Sequence, residues 1–473
     1  CAGLCAATFA SLFSYYTLQG ITRPVLAIQL KLTPQELLAV QRLAELPMAL
    51  VFLMGMLSDC RPIFGVRRKA YMVIGLVLNA VMTIIMGGIS LHIEAKGMLS
   101  RDGVLITVVT LLTSVASFGA IMTYLSVHTR IIELSQQEPL TVRGSIQASY
   151  MICRRLTSIA TNIFTYALLG DEFTAPRTTI STAVFLCAVV SVLPLPIILK
   201  YWDEELYSLS VPFRVRSKIV WKVMKQKAVW RTIAFIVCFA LFLSVKFADS
   251  SLAIVTWAGA AGDNTLALRV LVDVIMLIVV IVWRYVFMNR PWRTFYMWAP
   301  VFQIVPALIV SALVAYDVAR NRYLYRTLIS LTNVSDAIVN ITLLVPLTEI
   351  VQEGSEGSIV GLVLSLQRLI LIYGANFFTQ AEVALDTPHV RDEVFRSLVL
   401  NYAVNTLSVF GLLFLPTQKL DAQQMRMYGG FTKLAASGMV VFGCILFLYC
   451  MSVGMLTFIP ATACLRIAGG PGC

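Results

Sequence analysis

Charge is scarce in this sequence: Asp, Glu, Lys and Arg make up 13% of 473 residues, where soluble domains carry about 25%. With 58% hydrophobic residues and a mean hydropathy of +0.82, that scarcity excludes a soluble enzyme. A chain of this length could not hide so much apolar surface in one or two cores. Histidine occurs only three times and the ten cysteines form no CxxC pair, so no zinc site is expected. Catalytic triads and phosphate-cradling loops are also missing. Gly469-Gly470-Pro471-Gly472 is a turn-rich tail without the flanking strand and helix that a phosphate loop needs. The expectation is an integral membrane protein that is not an enzyme and carries no cofactor.

What the sequence has is long apolar runs. A helix crossing about 30 Å of hydrocarbon needs roughly 20 mostly apolar residues. Thirteen runs meet that need, near 2–22, 34–57, 70–92, 102–129, 144–169, 178–200, 230–257, 265–288, 293–316, 325–350, 357–380, 394–415 and 434–460. They are continuous rather than alternating, which argues for helices and against a barrel. Thr33-Pro34-Gln35-Glu36 reads as a capping box with proline at the first helical position, fixing the second start. The longest break, 201–229, is rich in Lys and Arg. It predicts a six-helix half over 1–200, a basic cytosolic linker over 201–229 and a second six-helix half over 230–416. Residues 417–473 then hold a loop, an extra transmembrane helix and a Cys/Gly tail.

The net charge of +12 invites a nucleic-acid reading, but topology accounts for it. With a cytosolic N-terminus, 20 of the 37 Lys and Arg fall in the even-numbered loops, 11 on the opposite side and six within spans. That is the positive-inside bias, and nucleic acid is not expected as a partner. Arg320, Arg322 and Arg326 run against the bias. The lipid bilayer is the expected environment, with the plasma membrane as location and an organellar membrane as the alternative. The two glycosylation-like patterns, at Asn333 and Asn340, lie inside a span and are set aside. If the tail is extracellular, a disulfide between Cys464 and Cys473 is allowed.

Between the second and third runs stands Asp59-Cys-Arg-Pro-Ile-Phe-Gly65-Val-Arg67-Arg68-Lys69, an acid, a glycine turn and a basic cluster. This resembles the helix 2–3 signature of the major facilitator superfamily, and SDCRPIFGVRRKAYMVIG (58–75) is similar to the folate–biopterin transporter family in particular. ELSQQEPLTVRGSIQ (133–147), PLTEIVQEGSEG (346–357), LPTQK (415–419) and TACLRIAGGPGC (462–473) extend the likeness over nearly the whole chain. The resemblance implies an all-α, major-facilitator-like fold with two six-helix halves around a central cavity, moving a folate- or pterin-like organic anion by alternating access. A thirteenth helix would be an addition carried by some members. Asp59, Gly65, Arg67 and Arg68 would form a cytosolic gating loop, with Asp59 pairing to a neighbouring helix end.

Ionisable groups at mid-membrane cost at least about 2.5–3.5 kcal/mol each and need a partner or a wet cavity. Arg42 and Glu45, Lys246 and Asp249, and Arg269 and Asp273 are three or four apart, so each pair shares one helix face. Arg154, Arg155, Asp336 and Arg368 have no such neighbour. Asp336 and Arg368 could clasp adjacent helices; alternatively Arg154 and Arg368 would face each other across the cavity. Two guanidiniums there suit a carboxylate-bearing anion. Tyr124 and Gln147 are further candidates for the cavity wall.

Helix 4 departs from the family pattern. Two aspartates usually precede the tripeptide matching Ile131-Ile132-Glu133, and Tyr124 and His128 stand in their places. The family's Trp and Lys in helix 2 are replaced by Met48 and Val51. Proton coupling is expected, and it then falls to His128, Asp249 or Asp336. A changed solute, or a non-transporting receptor or scaffold, is the alternative; oligomeric state is not legible.

Overall fold

The computed structural model describes residues 2–32, 34–96, 103–170, 177–207, 210–261, 265–384 and 391–458, with 462 and 465. Cys464 and Cys473 lie outside these residues, as does Thr33. The chain is all helical, and the described residues contain no strand.

The first half comprises α1 (Ala2–Pro24), α2 (Pro34–Glu45), α3 (Val51–Cys60), α4 (Lys69–Lys96), α5 (Gly103–Gln137), α6 (Ser145–Leu169), α7 (Ile180–Val192) and α8 (Leu195–Tyr201). A 3-10 turn at Leu46–Leu50 joins α2 to α3, and Pro194 separates α7 from α8, so each pair makes one bent span. The amphipathic α9 (Phe213–Met224) follows.

The second half comprises α10 (Lys227–Leu243), α11 (Ala248–Trp257), α12 (Leu266–Val282), α13 (Trp292–Tyr296), α14 (Trp298–Ala315), α15 (Arg322–Ser330), α16 (Asn333–Thr342), α17 (Val345–Ile350), α18 (Glu356–Ala384), α19 (Arg391–Thr406) and α20 (Ser408–Gly411). After it come the short α21 (Lys419–Tyr428) and the long α22 (Lys433–Phe458).

Each of the thirteen expected runs coincides with one helix or a broken series. Among the described residues, eight helical stretches are long and apolar enough by themselves to cross a membrane. The others carry internal charge or breaks, such as Ser244–Phe247 between α10 and α11. The architecture is that of two six-helix halves with α22 added at the periphery.

One end of the bundle is closed. The loops 61–68, 138–144 and 351–355, the linker, α9 and α21 all gather there, and we term it the basic face. Apolar packing continues across the halves at this end, joining Val51 and Met54 of α3 to Val360 and Val363 of α18 in one buried cluster. Glycine permits the approach: a Cβ on Gly55 would stand 1.9 Å from the Gly357 carbonyl oxygen, and one on Gly361 2.7 Å from that of Val51.

Candidate functional site: a sealed basic face and an arginine–tyrosine cavity

The seal is built on Asp59, the penultimate residue of α3 and fully buried. Its carboxylate accepts from the backbone amides of Gly357 (3.2 Å) and Ser358 (2.7 Å) and from the Ser358 hydroxyl (2.6 Å), at the start of α18. An anion on a helix N-terminus meets unsatisfied N–H groups and the positive end of the helix dipole. The same carboxylate accepts from Arg68 Nη2 at 2.7 Å.

Arg68 is 1% exposed and also pairs with Glu133 (2.7 Å) and Glu356 (3.6 Å), besides bonding the Ser58 hydroxyl. Burial alone would lower its pKa, but the carboxylates of Glu133, Asp59 and Glu356 outweigh it and hold the guanidinium above the usual arginine range.

The remaining members of the loop are held by the linker. Glu204 accepts from the backbone amides of Arg67, Arg68 and Lys69, each at 2.8 Å, capping α4. Arg67 stacks 3.7 Å over the Tyr207 ring. Gly65 takes φ +79°, which its missing Cβ allows, and its carbonyl accepts from Tyr207 N at 2.7 Å.

Further ties cross the halves. Gln136 donates to the carbonyls of Thr348 (3.0 Å) and Val351 (2.9 Å), and Arg143 pairs with Glu349 at 2.8 Å. Gln147 is buried in this seam, donating to the Thr348 hydroxyl. α21 straps both halves: Lys419 donates to the Arg143 carbonyl (2.7 Å), and Gln423 to Glu349 (2.7 Å).

Inward of the seal, His128 is fully buried, its Nδ1 3.3 Å from the Tyr150 hydroxyl and its Nε2 3.2 Å from the Leu343 carbonyl oxygen. The carbonyl can only accept, so Nε2 carries the proton and Nδ1 takes the tyrosine's. Both ring nitrogens of a neutral imidazole are thus engaged, one of them across the halves.

Beyond lies a cavity of about 310 Å³ between α1, α2, α5 and α6, with Arg269 of α12 on its rim. Tyr15, Tyr16, Glu45 and Asn162 are among its lining residues. Arg154, 5% exposed, lies 5.3 Å from the Tyr124 ring centroid and 5.6 Å from that of Tyr150, and bonds Tyr16. Arg368 from α18 is half-buried, with Tyr15, Tyr124, Tyr16 and Arg154 as its ionisable neighbours. The two arginines, one from each half, stand behind the tyrosine wall: neither they nor Tyr124 are among the residues lining the cavity, whereas Tyr16, which lines it, bonds Arg154. Among the described residues neither arginine makes an ion pair, and Arg368 Nε and the Tyr124 hydroxyl are buried without a hydrogen-bond partner.

Asp336 turns elsewhere: its charged neighbours are Lys246 and Arg155 rather than Arg368. Asp249 stands exposed in the first turn of α11. Asp273, read from spacing as a partner of Arg269, bonds across the halves to Ser158 (2.8 Å), Asn162 (2.9 Å) and Arg155 (3.5 Å). Sequence reasoning missed this inter-half cluster, and it missed Glu204 and Glu356; only the lone mid-helix Arg155 hinted at it.

Compared with solved structures, the chain is similar to a bacterial homologue of the iron transporter ferroportin, solved in an outward-facing state. The match has 16% identity and a TM-score of 0.59, covering 87% of this chain and 98% of that one. At that identity the likeness establishes the fold. No curated protein sequence matches significantly. The BT1 family, which includes the folate–biopterin transporters, matches residues 16–419. Family and fold together mark a multi-pass membrane transporter. On a match that spans most of its length, the chain belongs to the BT1 family.

Proposed function

We propose that this protein is a secondary transporter of an organic anion of the folate or pterin type, working by alternating access with the basic face toward the cytosol. The observation that carries the reading is that Arg154 and Arg368, one from each half, are neighbours among tyrosines behind the cavity wall, without an ion-pair partner among the described residues. A guanidinium offers a planar fork to a carboxylate, and two of them match a dicarboxylate such as a glutamate tail. The flat faces of Tyr15, Tyr16 and Tyr124 suit a conjugated ring.

In the arrangement described, the basic face is sealed and the cavity lies beyond the seal, as expected of an outward-facing state. Transport then requires the Asp59, Gln136 and Arg143 ties to part while the halves close over the anion. Proton coupling is part of the proposal, and Asp336, with Lys246 and Arg155 as its charged neighbours, is its acidic candidate. Ferroportin, to whose bacterial homologue this fold is similar, is named as an iron transporter, but two guanidiniums repel a metal cation.

Reconstitution in liposomes tests this. Labelled folate should accumulate saturably, faster under an inward proton gradient, with competition from other aromatic dicarboxylates. Uptake of ferrous iron without uptake of any organic anion would overturn the reading.

A further inference from the structure

A second cavity, of about 540 Å³, runs between α3, α9, α18 and α22. Leu53 and Met56, Leu366, Trp221, and Phe447 and Leu448 are among its lining residues, none of which is charged. The α22 wall runs from Met439 to Leu448, about 14 Å at 1.5 Å per residue. That is close to one leaflet, half of a hydrocarbon core roughly 30 Å thick. The α22 span itself is only 11% buried in the protein.

The groove begins at α9, where Ser217, Val220, Trp221 and Met224 line it. Helical geometry puts Arg214, Lys218, Lys222 and Lys225 on an adjoining stripe. Lys225 Nζ lies 6.0 Å from the Trp221 ring, which keeps a cation beside the groove's own wall. Thr432 N donates to the Lys225 carbonyl (2.8 Å) and Lys227 N to that of Gly430 (3.1 Å). These bonds bring the start of α22, with Lys433, against the end of α9. Neither 206–248 nor 422–473 contains an Asp or Glu. Asp59 and Glu356, at the adjoining ends of α3 and α18, are buried against Arg68. An uncharged slot one leaflet long therefore opens beneath a cluster of cations on stretches of chain that carry no acid of their own.

We propose that this groove binds a bilayer phospholipid with an anionic headgroup, one acyl chain lying along Leu53, Leu366 and Phe447 and the phosphate on Lys218 and Lys225. Bound there, the lipid fills the gap beside α22 and fastens this weakly packed helix to the transporter body. Cations at a membrane surface gain from anionic lipid, and the apolar slot fixes where the lipid sits.

Native mass spectrometry of the full chain, stripped of lipid and then supplied with dioleoylphosphatidylglycerol or dioleoylphosphatidylcholine, tests the proposal. One phosphatidylglycerol should be retained in clear preference. Lys218→Gln with Lys225→Gln should lower its retention about 25-fold, roughly fivefold per lysine, and the Lys→Arg pair should restore it. Cys444→Trp, at an exposed position lining the groove, should expel both lipids while leaving the lysines in place. Equal retention of the two lipids would overturn headgroup recognition. Unchanged retention in Cys444→Trp would put the lipid elsewhere, and a lipid-free dimer dispersed by that change would make a second copy the occupant; either result overturns the proposal.

Discussion

The Asp59 carboxylate accepts a 2.7 Å hydrogen bond from the backbone amide of Ser358, tying the last turn of α3 in one half to the first turn of α18 in the other. It is the point where a charge, a helix end and the seam between halves coincide. Asp59→Asn keeps an acceptor but loses the charge that faces Arg68 and the helix terminus. A charge-assisted bond contributes about 2 kcal/mol, roughly thirtyfold in the closed-to-open balance. Transport should slow by about that order with substrate affinity nearly unchanged. Cys60, buried beside Asp59, should label faster with a maleimide. A loss of affinity without change in labelling would assign Asp59 to binding instead.

Gly55 gives a steric test of the same seam. An alanine there would place its Cβ 1.9 Å from the Gly357 carbonyl oxygen, a clash with backbone on both sides. Gly55→Ala should hold the basic face open, abolishing transport and exposing Cys60. Gly88→Ala, where nothing lies within 4 Å of the added Cβ, should be harmless. Normal transport by Gly55→Ala would show that the closed seam is not part of the cycle.

His128 is saturated by Tyr150 and Leu343, so it should act as a tie rather than a proton carrier. His128→Gln can remake both bonds and should retain the pH dependence of uptake. His128→Leu leaves a buried hydroxyl and carbonyl unpaired, costing about 1–3 kcal/mol. The thermal midpoint should fall in the leucine variant and hold in the glutamine one. Loss of pH dependence in His128→Gln alone would reverse this assignment.

Asp273 and Arg155 should behave as a pair. Asp273→Asn strands Arg155 in the bundle, and removing one member of a buried pair costs roughly 3–5 kcal/mol, whereas removing both costs far less. The double change Arg155→Gln with Asp273→Asn should therefore transport better than Asp273→Asn alone. Additive losses would mean that the two act separately.

Much of the fold was legible because hydropathy alone sets span length: thirteen apolar runs became helices at nearly the expected places. Breaks inside runs were not legible. Ser244–Phe247 interrupts the run read as 230–257: Lys246 and Asp249 lower the hydropathy there, but their spacing of three invited a continuous helix with both charges on one face. Asp59 and Arg68 stood out because acid, turn and base lie close in sequence. Their partners Ser358 and Glu356 did not, since nothing local marks a helix start as the receptor of a distant charge. Asp273 shows the same limit: four residues from Arg269, it invited a local pair, yet its bonds cross to α6. Spacing reports only which groups share a helix face, and the chemistry of a two-half transporter lies largely between halves.

The affinity of purified protein for folate, compared with Arg154→Lys and Arg368→Lys, tests the anion site most directly. Lysine keeps the charge and removes the fork. Wild-type protein should bind, and each variant should lose at least about tenfold, the equivalent of one charge-assisted bond of roughly 1.5–3 kcal/mol. Binding unchanged in both lysine variants would contradict the assignment of these two arginines as the anion site.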